Sequence, residues 1–309
     1  MVDLSIVLPI YNEEQNLGIL YKELKEVLDK LNKKYELIFV DDGSKDRSFL
    51  VLKFIKEKDP KVKIIRFRKN FGQTAAMDAG IRASKGNIII TLDSDLQNDP
   101  RDIPRLIEKI NQGYDVVSGW RYNRKDSLSK KFMSRGANIL RKLILNDKIH
   151  DSGCTLKAYK KECFNNFRLY GETHRFIPAL LKLKGFKVTE IKVNHRPRRF
   201  GKTKYTIKRT LNGFLDMLLI NFWMKYSTKP IHLFGGVGIF SILIGGISGF
   251  YLTFLKLFYG EAIANRPLLI LAVLLILIGF IMLIFGLLAD ILVKIYYKDQ
   301  ESYNIKTIL

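Results

Sequence analysis

The 309 residues predict an α/β domain built on a mostly parallel sheet, followed by two helices long enough to cross a membrane. Three observations lead there. Short apolar runs alternate with amphipathic, helix-period segments through the first third of the chain. Carboxylates follow two of those runs directly. Leu233–Leu255 and Pro267–Ala289 are each 23 residues without a charge, more than the roughly 20 that span a hydrocarbon core.

Leu4–Leu8 reads as a buried strand and Asn16–Leu31 as an amphipathic helix. Glu36–Val40 is a second strand, ended by Asp41-Asp42-Gly43-Ser44, with a helix near Ser48–Lys58. Val62–Phe67 is a third strand, Thr74–Ser84 a helix and Asn87–Leu92 a fourth strand. The helix Ile103–Asn111 has Pro104 near its start and Gly113 beyond its end, the usual asymmetry, and Asp115–Ser118 is a fifth strand. Such alternation makes right-handed βαβ units and a mostly parallel sheet. Ligands of such sheets sit beyond the carboxyl ends of the strands, where Asp41-Asp42 and Asp93/Asp95 fall.

Two further segments have one apolar helical face, 128–146 (through Phe132, Ile139, Leu140 and Leu143) and 207–223 (through Leu211, Phe214, Leu218 and Phe222). Core helices would show the same pattern, but their basic flanks favour the bilayer interface. All but one of the net 22 positive charges lie before residue 230. That excess calls for an anionic partner and places this side of the hairpin in the cytoplasm. Gly235, Gly236, Gly238, Gly245, Gly246 and Gly249 stud the first long run, as small residues do where membrane helices pack closely. Cys154 and Cys163 form neither a disulfide framework nor a zinc motif, which fits a reduced compartment, and Cys154 is expected in the core. The opening MVDLSIVLPI lacks the basic n-region of a signal peptide.

The chemistry centres on TLDSDLQNDP, residues 91–100. Aspartates after a strand commonly make turns or helix caps, and this stretch alone favours a turn. At the carboxyl end of a parallel strand, Asp93, Asp95 and Gln97 are instead an oxygen ligand set for Mg²⁺ or Mn²⁺. Such ions usually keep positions open for phosphate oxygens. Asp41 or Asp42 is placed to accept hydrogen bonds from a base or ribose, beside the loop Pro9–Glu13. The basic run Arg196–Arg209 holds seven Lys/Arg in fourteen residues; a solvated loop and a flap over lipid phosphate both fit it. His174 lies within a motif beside Arg175, whereas His150, His195 and His232 are expected in local structural roles.

VLPIYNEEQNL, VDDGSKD, RKNFGQTAAMDAGI, LDSDLQNDP, SGWR and DSGCTLKAY together resemble a family 2 glycosyltransferase of the GT-A fold. With ETHRFIPAL, HRPRRFGKTKY and two terminal membrane helices, the chain resembles the polyprenyl-phosphate glycosyltransferases. That group includes dolichol-phosphate mannose synthases and bacterial undecaprenyl-phosphate glucosyl- and aminoarabinosyl-transferases. The resemblance covers nearly the whole chain, and the order and spacing of the motifs carry it.

The resemblance implies that Pro9, Tyr11, Glu13, Asp41 and Asp42 surround the nucleoside of a nucleotide-sugar donor, of UDP-glucose or GDP-mannose type. Asp93, Asp95 and Gln97 would hold the metal, with Asp93 also at the donor. Ser94 stands where the family often has alanine. Arg121, Ser134 and Arg135, with Arg199 and Lys202 of the basic run, would bind the acceptor phosphate. Asp151 stands where related transferases keep a general base; base and orienting group are both open for it.

The implied organisation is a catalytic domain over 1–200 containing the interfacial segment 128–146, a basic juxtamembrane segment 201–229, a transmembrane hairpin 230–296 and a cytoplasmic tail 297–309. The implied reaction is metal-dependent transfer of a hexose that inverts the anomeric centre and yields a polyprenyl-phosphate sugar at the cytoplasmic membrane face. Homo-oligomerisation is left open. A nucleic-acid enzyme is disfavoured by the hairpin and by the lack of aromatics interleaved along the basic run. The competing enzyme is a membrane transferase using a hydroxyl acceptor, such as a polysaccharide synthase. That class carries Gln-x-x-Arg-Trp, a context that none of the five glutamines has. A non-enzymatic scaffold is disfavoured by the intact Asp93/Asp95/Gln97 set.

Overall fold

The computed structural model describes residues 2–122, 149–165, 167, 169, 173–200, 222, 225–226, 229–263 and 266–296. The chain divides into two compact units, Met1–Met217 and Leu218–Leu309.

The first unit is organised by a seven-stranded sheet, β1 (Leu4–Ile10), β2 (Tyr35–Asp41), β3 (Val62–Arg66), β4 (Ile88–Thr91), β5 (Val116–Arg121), β6 (Lys157–Lys160) and β7 (Val188–Val193), in the order β3-β2-β1-β4-β6-β5-β7. β1, β2, β3 and β4 are mutually parallel, with Leu4 opposite both Tyr35 and Ile88. Only β6 runs antiparallel to its neighbours, between β4 and β5. Its α-helices among the described residues are α1 (Glu14–Asp29), α2 (Ser48–Lys58), α3 (Gln73–Ala83), α4 (Ile103–Asn111) and α5 (Ile177–Leu183).

β1 and β2 are buried along nearly their whole length, as expected of strands covered on both faces. α1 buries Leu17, Leu20, Leu24 and Leu28 at helical spacing, and α4 buries Ile103, Leu106, Ile107 and Ile110. These stripes pack in one core with the strand residues Ile6, Leu8, Leu37 and Phe39. The strands and helices expected through Ser118 all form. β6 is only four residues and β7 is preceded by a charged turn, so neither has a periodicity that stands out in the sequence.

The second unit is a helical hairpin, α6 (Ile231–Tyr259) and α7 (Pro267–Tyr296). Both are long and apolar enough to span a bilayer. Phe250, Leu257 and Leu292 stand outward and exposed, the reverse of a soluble core helix. The helices touch backbone to backbone: a Cβ on Gly238 would lie 2.7 Å from the Gly279 carbonyl oxygen, and one on Gly279 would lie 2.6 Å from that of Gly238. Residues 128–146 and most of 207–223, the two amphipathic segments, lie outside the described residues, as does the tail.

Candidate active site

The carboxyl ends of β1, β2 and β4 open on one edge of the sheet, and their loops are tied to one another. After β1 the chain turns at Asn12, whose φ is 57°. The Asn12 N–H donates to Ser44 Oγ at 3.0 Å, and the Lys45 N–H donates back to Asn12 Oδ1 at 2.8 Å. The Glu13 N–H donates to Ser48 Oγ at 2.8 Å, so the Pro9–Glu13 loop is clasped to the loop after β2. Ser94 Oγ donates to the Pro9 carbonyl at 3.1 Å, which fastens the β4 loop to the same edge.

Asp41 and Asp42 are both buried. Asp42 accepts from the backbone N–H of Phe71 (2.7 Å) and Gly72 (2.9 Å) and from Asn70 Nδ2 (2.9 Å). Burial raises its pKa; the two N–H donors oppose the shift, and Asp41 adds to it. Gly43 follows at φ 68°, where a Cβ would sit 2.5 Å from the Lys69 carbonyl carbon. Asp42 therefore holds the 69–72 loop. Asp41 accepts from the Ser44 N–H at 2.9 Å through Oδ1. Its buried Oδ2 makes no hydrogen bond and has the Arg66 guanidinium 3.3 Å away. Of the two aspartates, Asp41 keeps acceptor capacity for a ligand.

The residues after β4 are arranged differently. Asp93 Oδ1 accepts from Gln73 Nε2 at 2.7 Å, at the start of α3. Burial, then the neighbouring Asp95, push the Asp93 carboxyl up to about 6, against the Thr155 hydrogen bond and the charges of Arg121 and Lys157. Asp95 Oδ1 accepts the Gln97 N–H at 3.1 Å, closing a turn through Leu96 at φ 62°. The other oxygen, Oδ2, is 2.7 Å from Arg198 Nη2. The segment after β7 lies along this loop: Asn98 bridges His195, the Arg196 N–H donates to the Gln97 carbonyl at 2.8 Å, and Arg196 pairs with Asp99 and Glu23 at 2.7 Å each.

Arg121, at the end of β5, forms a fork with Asp151: Nε to Oδ2 at 2.6 Å and Nη2 to Oδ1 at 2.9 Å. Burial disfavours the guanidinium charge, and Asp151 more than restores it. A carboxylate gripped this way orients a cation and is a poor proton acceptor. In this structure Asp151 holds Arg121 with both oxygens.

Two carboxylates close enough to raise one pKa, with a guanidinium already drawn to one of them, are a donor set that fits a hard cation. Gln97 adds an amide whose side chain has no protein partner among the described residues. Among those residues no cluster of three His, Cys, Asp or Glu is present, so a metal here would complete its shell from the ligand.

Gln73, Thr155, Lys157 and Arg198 also join this site, and none was singled out in the sequence. Gln73, the Thr155/Lys157 pair and Arg198 arrive from three separate parts of the chain, so no local spacing joins them to Asp93 and Asp95. His174 is buried and its Nδ1 lies 2.7 Å from Thr74 Oγ1, one residue from Gln73. His150 stacks on Trp120 with ring centroids 4.3 Å apart, and Cys154 is core, as expected. Arg199 is exposed, its described contact being the Phe200 ring 5.9 Å away. Ser134, Arg135 and Lys202 lie outside the described residues.

Residues 5–168 match the family model described as glycosyl transferase family 2. The chain belongs to that family. This glycosyltransferase is 39% identical to a dodecaprenyl-phosphate galacturonate synthase of Rhizobium johnstonii, an alignment covering 98% of this chain and 91% of the relative. It is 37% identical to an undecaprenyl-phosphate 4-deoxy-4-formamido-L-arabinose transferase of Pseudomonas paraeruginosa, over 94% and 85% of the two chains. In fold, the transferase is similar to glucosyl-3-phosphoglycerate synthase from Mycobacterium tuberculosis, solved with Mn²⁺, UDP and phosphoglyceric acid. The TM-score is 0.56 at 17% identity, over 71% of this chain and 78% of that one. The catalytic unit thus has the GT-A fold.

Proposed function

We propose that this transferase moves a sugar from a nucleotide-diphosphate sugar to a polyprenyl phosphate, with inversion, aided by Mg²⁺ or Mn²⁺ at Asp93, Asp95 and Gln97. The observation that carries the reading is the pairing of a carboxylate cluster after β4 with the Arg121–Asp151 fork after β5, in a chain ending in two membrane-length helices. The names of the two curated relatives, both polyprenyl-phosphate enzymes, support the acceptor class.

Asp41, with one oxygen free of hydrogen bonds, receives the nucleoside beside Pro9, Tyr11 and Glu13, and Asp42 shapes the wall by holding residues 69–72. A divalent ion at Asp93, Asp95 and Gln97 would stabilise the negative charge that develops on the departing diphosphate. Arg198 must leave Asp95 Oδ2 for that position to become available. Arg121, aimed by Asp151, positions the acceptor phosphate, with Ser134, Arg135, Arg199 and Lys202 assigned to the same anion. A phosphate monoester has a second pKa of about 6 and is already a nucleophile at neutral pH, so no strong base is needed. Asp151 therefore serves by orienting. Attack from the face opposite the diphosphate inverts the anomeric carbon.

Both termini and the catalytic unit face the cytosol in this reading, because two spans return the chain and the positive charge lies on one side. Reporter fusions after Leu309 and between Tyr259 and Arg266 then report opposite sides. The decisive experiment is a panel of labelled nucleotide sugars, including UDP-glucose and GDP-mannose, with membranes and polyprenyl phosphate or free polyprenol. Label entering lipid with the phosphate alone supports the reading. Equal use of the free alcohol overturns it in favour of a hydroxyl-directed transferase.

A further inference from the structure

Lys157 is a fully enclosed ammonium that none of the steps above uses. It is 2% exposed, on β6, the antiparallel strand inserted between β4 and β5. In register it sits opposite Thr91 of β4, two residues before Asp93, and opposite Ser118 of β5, three residues before Arg121. The strand thus carries Lys157 between the two strands that deliver the metal carboxylates and the acceptor arginine. Its Nζ donates to the Ser152 carbonyl at 3.1 Å, within the turn that presents Asp151 to Arg121. No other acceptor meets this ammonium among the described residues. Burial, with the like charge of Arg121, lowers its pKa to about 8, above neutral, against Cys154, Asp151 and Asp93, which hold it up.

The charges decide what it does. Arg121 is held by Asp151 in a two-bond fork and together they are neutral. Asp93 and Asp95 belong to the metal position. That leaves Lys157 as the cation of the cluster without a carboxylate of its own. Buried charge is poorly screened, and Arg121 and Asp151 are among the charges that act on Lys157, so its field acts on the fork in turn. We propose that Lys157 is a positioning residue for the phosphorylated acceptor: it makes the Arg121–Asp151 fork a net cationic site and fixes the turn that aims it. This rests on the acceptor phosphate lying at Arg121.

The bland alternative is that Lys157 only ties down the Ser152 carbonyl, and the variants separate the two. Lys157→Met removes charge and hydrogen bond; Lys157→Gln keeps a donor and removes the charge. A buried ion replaced by an apolar group of similar volume is commonly tolerated, and Gln provides a second folded variant if Met is not. Steady-state transfer is measured against polyprenyl phosphate, with the affinity for the donor's nucleoside diphosphate and Mn²⁺ measured by calorimetry. Both variants should raise the acceptor KM by roughly tenfold, leave nucleotide affinity within about twofold, and be partly rescued by Lys157→Arg. Wild-type acceptor KM in Lys157→Gln overturns the proposal, as does equal weakening of nucleotide and acceptor. Arg121→Lys is the companion variant. If it leaves the acceptor KM unchanged, the placement of the phosphate at Arg121 fails; if it raises the KM while Lys157→Gln does not, only the role of Lys157 fails.

Discussion

Two strand ends in this molecule carry paired aspartates, and they have been put to opposite uses. After β2, Asp42 is satisfied by two backbone N–H groups and an asparagine amide, while Asp41 takes a turn N–H on Oδ1 and faces the Arg66 guanidinium with Oδ2. After β4, Asp93 and Asp95 crowd each other; Asp95 Oδ1 takes one turn N–H, from Gln97, and the remaining contacts include the side chains of Gln73, Thr155 and Arg198. Backbone donors are fixed by the fold and make a carboxylate a structural bracket. Side-chain donors can swing away, and a pair of carboxylates whose mutual repulsion still helps to raise one pKa remains available to a cation. The second arrangement is the one suited to chemistry.

Four measurements put this contrast at risk. The largest effect is expected from Asp95→Asn, which keeps the shape of the loop and removes one metal charge. Transfer should fall by about a hundred- to a thousandfold while the protein stays folded, and excess chelator should silence the wild type equally. Full activity in either case would make the β4 pair another structural bracket.

Asp42→Ala tests the other half. It strips the acceptor from two backbone N–H groups and should cost about 3 kcal/mol of stability, read by thermal unfolding in detergent. A variant with normal stability and weakened nucleotide binding would instead make Asp42 a ligand-contacting residue.

Arg198→Ala concerns the exchange at Asp95. The guanidinium and a metal compete for Oδ2, so removing Arg198 should tighten Mn²⁺ binding to the nucleotide-free protein by roughly tenfold, measured by electron paramagnetic resonance. Unchanged or weaker binding would show that Arg198 is no competitor.

The smallest expected effect is a pH dependence. Lys157 titrates at about 8 in the fold against 10.5 ordinarily. Between those values the unfolded chain holds more of this proton, so the group's contribution to stability rises with pH across that window. Lys157→Met should flatten that part of the stability profile. An identical slope in the variant would place the ammonium in water.

Much of this was legible from residue order. Buried strands and amphipathic helices announce themselves by periodicity, because one covered face must be apolar whatever the rest of the chain does. The two membrane-length helices follow from uncharged length alone, and the place of Asp93, Asp95 and Gln97 beyond the carboxyl end of β4 from the apolar run before them. Asp41 and Asp42 read alike in the sequence. Only folding told them apart, because the donors that occupy Asp42 come from residues 70–72, brought over by β3 and the start of α3. Asp151 and Arg121, thirty residues apart, became a fork for the same reason. Lys157 is the sharpest case. On paper it is one of 52 basic residues, and its burial was decided by an antiparallel strand too short to carry a pattern. Local covering is a property of sequence, whereas which charges share a dielectric interior is settled only when distant segments meet.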